Sequence, residues 1–96
     1  MGLKGGPTQD EVMAVSLAKL GIRPGDRVAD VGCGTGKVAV AASRVAGQVY
    51  AIDQRPEAIA YARREAAAAG AGNIEFFEGD AVDVLPGFGR LDAAFV

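Results

Sequence analysis

The chain of 96 residues has no histidine, no tryptophan and one cysteine, Cys33. A lone thiol excludes an intrachain disulfide, and without imidazole it leaves too few ligands for a zinc cluster. Aromatics are few, four Phe and two Tyr, so small aliphatic side chains must build most of the core. There is no excess of positive charge: ten Lys and Arg against twelve Asp and Glu give a net charge of −2. A nucleic-acid-binding face calls for clustered basic residues, so that partner is argued against. No apolar run approaches the roughly 20 residues of a membrane span. Met1-Gly2-Leu3-Lys4-Gly5-Gly6-Pro7 lacks the apolar centre of a signal peptide. Together these absences predict a cytoplasmic protein with no membrane partner, for which a free thiol is at home.

The length allows one small domain, residues 1–96, burying roughly 60–65% of the surface its unfolded chain exposes. What the sequence does have is glycine, 14 residues in all, punctuating short apolar runs. Thr8 and Glu11 have the spacing of a capping box, and the apolar segment from Val12 to Leu20 reads as a first helix, stopped by Gly21 and Pro24. Arg27–Val31 reads as a buried strand, Lys37–Val45 as a helix and Val49–Asp53 as a second strand. Pro56 opens a further helix running to about Ala69, with an apolar stripe at Ala58, Ile59, Ala62, Ala66 and Ala69. Ile74–Glu78 is a third strand, Ala81–Leu85 a short helical turn, and Leu91–Val96 a fourth strand. Strands alternating with helices of this length indicate βαβ units and a parallel sheet with helices on both faces. A fourth apolar strand with no covering helix after it reads as part of a longer fold; the alternative is a half-size domain that covers its sheet by self-association.

Three features carry chemistry. The first is Asp30-Val31-Gly32-Cys33-Gly34-Thr35-Gly36 between the first strand and the helix at Lys37. Glycines there let a ligand approach the backbone, and a helix start offers amides to it. The nicotinamide fingerprint G-x-G-x-x-G competes for this loop, but Lys37 stands where its third glycine belongs. The second is Asp53, ending the next strand about twenty residues on, where a carboxylate accepts the two hydroxyls of a ribose. It suits NAD and S-adenosylmethionine equally; a helix cap is its plainer role. The third is Gly79-Asp80-Ala81 after the third strand, where a carboxylate can accept from the adenine amine. Alone, Asp80 would be a solvated turn residue.

In this series the chain resembles class I S-adenosylmethionine-dependent methyltransferases over residues 27–96. The resemblance implies a Rossmann-like sheet, here the N-terminal four-stranded portion of the methyltransferase fold, with S-adenosyl-L-methionine as cofactor. It puts the methionine part against Gly32, Cys33, Gly34, Thr35 and Gly36, the ribose on Asp53, and the adenine beside Asp80 and Ala81. Asp30 would lie beneath the loop and orient its amides or the cofactor amine. Gly6-Pro7-Thr8-Gln9-Asp10-Glu11-Val12, Val49–Asp53, Pro56–Ile59 and Glu78–Ala81 narrow the resemblance to the decarboxylating precorrin-6B (cobalt-precorrin-6B) methyltransferases of cobalamin biosynthesis. In that family the matching threonine lies against the cofactor, which carries over to Thr8.

The implied reaction is methyl transfer to a ring carbon of a tetrapyrrole, with loss of CO2 from an acetate side chain. Homo-oligomerisation is implied too, and an unpaired strand edge favours it. No general base is assigned: Tyr50, Tyr61 and Cys33 are explained by packing. Lys4, Lys37 and Arg55 lie near strand ends, where a carboxylate-rich substrate would want a basic rim, but solvated surface explains each. Two rival readings stand: a tRNA or protein methyltransferase with the same cofactor half, and a half-domain that binds cofactor without catalysis.

Overall fold

The structure, a computed structural model of the chain, describes residues 21–96. Thr8, the capping box and the segment 12–20 lie outside the described residues.

Four short runs form parallel strands: β1 (Arg27–Val31), β2 (Gln48–Asp53), β3 (Ile74–Glu78) and β4 (Ala93–Phe95). Their order in the sheet is β3-β2-β1-β4. A strand covered on both faces reads as an unbroken apolar run, and β2 is buried at every position after Gln48. The chain steps outward from β1 to β3 through helices α1 (Lys37–Ser43) and α2 (Pro56–Ala68). It then returns past β1 to β4 through the single turn α3 (Ala81–Val84) and a 3-10 turn, Leu85–Phe88. Right-handed crossovers put the outward helices on one face and the return segment on the other.

Packing follows that division. Val28, Val49 and Ala51 meet Ala39, Ala42, Ile59 and Ala62 of the helices in one core cluster. Tyr50 points the other way, because successive strand residues alternate faces. Its ring stacks on Phe88 with centroids 4.3 Å apart, and Phe77 closes the group 4.8 Å from Phe88. Arg27 fastens the return segment: its guanidinium donates to the Tyr50 hydroxyl, the Phe88 carbonyl and the Arg90 carbonyl. Both faces of the sheet are covered, as expected from the sequence.

Element ends shift slightly. α1 stops at Ser43 rather than Val45, because the Ser43 hydroxyl donates to the Val40 carbonyl and the Arg44 amide bonds back to Ala41. Ala69 caps α2 and is exposed instead of completing the apolar stripe. β4 begins only at Ala93, since Leu91 and Asp92 precede its pairing with Val28; Asp92 instead exchanges bonds with the Arg27 backbone.

Gly36 decides how closely α1 approaches α2. Its φ is +84, and a Cβ there would stand 2.9 Å from the Ala62 Cβ. Both the left-handed backbone and the overlap oppose a side chain. Gly36→Ala is expected to lower unfolding free energy by about 2–4 kcal/mol, read from the urea midpoint; an unchanged midpoint would show that the helices are free to move apart.

Candidate functional site

The strand order reverses beside β1, and in open α/β sheets ligands bind at the carboxyl strand ends near such a reversal. A cleft of about 430 Å³ opens there, lined by Val31, Gly32, Ile52, Asp53, Gln54, Arg55, Gly79, Asp80 and Ala81. Four of the residues picked out in the sequence, Gly32, Asp53, Asp80 and Ala81, thus meet around one space. They do so because parallel pairing sets the ends of β1, β2 and β3 in one row.

The remaining loop residues have other positions. Cys33 is buried in the core cluster, and desolvation pushes its thiol up to about 11, so it is an uncharged packing group. Gly36 is buried against Ala62. Thr35 is exposed and, with Gly34, borders a separate hollow of about 220 Å³ shared with Arg55, Glu57, Ala58 and Tyr61.

Within the glycine loop, ahead of the amides at the start of α1, several N–H groups are bonded inside the chain. The Gly32 and Cys33 amides both donate to the Ile52 carbonyl, at 2.8 and 3.0 Å. The Gly34 amide donates to Asp53 Oδ2 and the Gly36 amide to the Cys33 carbonyl. A pyrophosphate needs a cluster of free N–H donors, and these four are engaged. At these four positions the loop therefore offers a close-approach backbone surface rather than free donors.

Two carboxylates lie under this surface in opposite states. Asp53, only 5% exposed, accepts four hydrogen bonds: from the Gly34 amide, the Arg55 amide, Arg55 Nε and Arg55 Nη2. The Arg55 side-chain bonds hold its carboxyl well below the usual range, with the two backbone donors assisting against desolvation. It does not cap α2, whose N-cap is Arg55. Asp30, also 5% exposed, is the contrary case. Its Oδ2 has no partner among the described residues. Burial pushes its pKa up to about 6, the Ala39 amide acts against this, and the Asp53 charge adds to it. Asp80 is exposed and accepts from the Val82 amide, capping α3.

Arg55 is the functional residue that sequence reasoning missed, having been read as solvated surface. Its place two residues past a strand-ending Asp and directly before Pro56 favours extended backbone but does not by itself reveal the bond to Asp53. Gln54 also lines the cleft without having been singled out, and Gly79, named as part of the Gly79-Asp80-Ala81 feature, lines it too.

A family model described as the precorrin methyltransferase domain matches residues 4–96. The chain belongs to this family. It is 44% identical, over its whole length and 55% of the relative's, to a protein of Methanosarcina mazei named probable cobalt-precorrin-6B C(15)-methyltransferase (decarboxylating). Among solved structures, precorrin 8W decarboxylase of Methanobacterium thermoautotrophicum superposes with a TM-score of 0.81 at 36% identity, over 94% of this chain and 49% of that one. The C-terminal domain of precorrin-6Y C5,15-methyltransferase from Rhodobacter capsulatus gives 0.78 at 26% identity, over 97% and 51%. The chain spans about half the length of the curated relatives it matches. The Rossmann-like reading of the four-stranded sheet agrees with these superpositions.

The fold also predicts how acidity acts on stability. Asp30 has a raised folded-state pKa, so its contribution is complete below the unfolded value near 4 and is lost as pH rises through about 6. Asp53, with a depressed pKa, stabilises above the ordinary carboxylate range and loses that only in strong acid. Asp30→Asn removes the first effect alone. Between about pH 4.5 and 7.5, the unfolding free energy of that variant relative to wild type is expected to rise by about 2 kcal/mol. Denaturant titrations at the two pH values check this; a pH-independent difference would mean that Asp30 is hydrated in the folded state.

Proposed function

We propose that this chain is the S-adenosyl-L-methionine-binding half of an enzyme that methylates a ring carbon of a precorrin-type tetrapyrrole, with decarboxylation of an acetate side chain. The observation that carries the cofactor reading is the buried Asp53 carboxylate at the wall of a cleft whose glycine-loop amides are turned inward. The names of the relatives support the acceptor.

The residues present fit such a cofactor. Asp53 is a fixed carboxylate for a vicinal diol. Gly32 and Gly34 leave no Cβ in the way of the methionine part. Asp80 and Ala81, across the cleft, suit the adenine and its amine. Asp30 Oδ2, buried and without a partner among the described residues, is a ready acceptor for an ammonium or an ordered water beneath the loop. In this reading Cys33, Thr35 and Gly36 serve through the loop backbone, and Thr8 completes the site by resemblance. When bound, S-adenosylmethionine supplies an electrophilic methyl group on its sulfonium. The work of the chain is orientation, bringing donor and acceptor into near-attack geometry and excluding water. Electron-rich tetrapyrrole carbon needs no strong base from these residues, and Cys33, held protonated, supplies none.

The unpaired outer edge of β3, next only to β2 among the described residues, supports self-association as the oligomeric form. A single buried thiol and no helix among the described residues long and apolar enough to cross a membrane accord with a cytoplasmic site of action.

Titration calorimetry tests the cofactor reading. S-adenosylhomocysteine is expected to bind and NAD not to; binding of NAD alone would overturn it. Asp53→Ala should weaken S-adenosylhomocysteine by about 1.5–3 kcal/mol, the value of charge-assisted hydrogen bonds lost from a buried acceptor. Undiminished affinity would remove Asp53 from the ribose site.

A further inference from the structure

A carboxylate has about four acceptor positions, and all four on Asp53 are filled from within the chain. Oδ1 accepts from the Arg55 amide at 2.9 Å and from Arg55 Nε at 3.0 Å. Oδ2 accepts from the Gly34 amide at 3.1 Å and from Arg55 Nη2 at 2.9 Å. Each oxygen therefore carries one donor fixed in the backbone and one donor on a movable side chain, which is 61% exposed. A ribose diol brings two hydroxyl donors to the same carboxylate. The two hydroxyls and the two guanidinium donors require the same pair of acceptor positions.

We infer that Arg55 is an internal competitor of the ribose diol, a latch that fills the two hydroxyl positions on Asp53 and swings aside as an adenosine ligand enters. This rests on the ribose role proposed for Asp53. The chain has a place to receive the displaced group. Arg55 lines the cofactor cleft and also the neighbouring hollow that contains Glu57 and the half-exposed Tyr61. There a guanidinium meets a carboxylate and an aromatic ring, both favourable partners for it. The Glu57 charge already acts on Arg55 in the latched position. An exposed ion pair is weak, so the latch tunes affinity rather than closing the site. It also keeps the carboxylate satisfied, and so buried without strain, whenever no diol is present. Ligands without a vicinal diol have nothing with which to replace the guanidinium, which gives Asp53 selectivity for cis-diol nucleosides.

A double-mutant cycle read by titration calorimetry with S-adenosylhomocysteine tests this. Arg55→Met is expected to bind about three- to five-fold tighter than wild type, the scale of one exposed ion pair. Arg55→Lys, which keeps the charge but loses the fork, should move the same way by less. In an Asp53→Asn background, Arg55→Met should change nothing, because no carboxylate remains to be competed for. Unchanged or weaker binding by both Arg55 variants overturns the latch, as does equal tightening in both backgrounds, which would signify a general charge effect. If Asp53→Asn alone leaves affinity unaltered, it is the ribose assignment that fails; if it weakens binding while the Arg55 variants do not tighten it, the latch alone fails.

Discussion

The site depends on a seam between the end of β2 and the loop that leaves β1. One carbonyl, that of Ile52, accepts from two successive loop amides, and one carboxylate, that of Asp53, accepts from the next. Those bonds fold the loop back over the sheet edge and determine which of its atoms face the cleft. They also engage the Gly32, Cys33 and Gly34 amides, so that this stretch of the glycine-rich loop forms a smooth backbone surface. The chemistry of the loop is thus set by what accepts its amides, not by its glycines alone.

Close packing keeps the seam in place. Small residues on α1 and α2, Ala39, Ala42 and Ala62, allow the helices to lie near the sheet and each other, with Gly36 at the tightest point. On the opposite face the Tyr50, Phe77 and Phe88 rings, joined to Arg27, anchor the chain that follows Asp80. Few aromatics suffice because three of the six stand in one group. Asp30 and Asp53, on the same side of the sheet and each nearly fully buried, then diverge through their partners. One has a guanidinium and two amides and is firmly ionised; the other has an oxygen with no partner among the described residues and a raised pKa. Neighbouring carboxylates whose pKa values are pushed apart beside a cleft are candidates for a functional site.

Much of this was legible in the residues. The strand β1 and the starts of α1, α2, β3 and α3 could be read from apolar runs and from Pro and Gly punctuation, because these signals are local. Asp53 and Asp80 could be picked out because parallel pairing brings successive strand ends together, so position in the chain implies position in space. Arg55 was not legible as a partner. A charged residue before a helix is ordinarily solvated, and its return to Asp53 depends on side-chain geometry that no periodicity encodes. Cys33 and Gly36, grouped with the cofactor residues by their place in the motif, are buried, Cys33 in the core cluster and Gly36 against Ala62.

The sequence by itself determined the parallel α/β architecture, the family and the row of acidic residues at the strand ends, because each follows from local pattern and the fixed hand of βαβ crossovers. Only the tertiary structure decided what those residues are bonded to. It turned several loop amides inward, put Arg55 on Asp53 and left Asp30 Oδ2 without a donor among the described residues. Hydrogen-bond partners across strands depend on register and approach distance, which are properties of the assembled sheet and not of any segment of the chain.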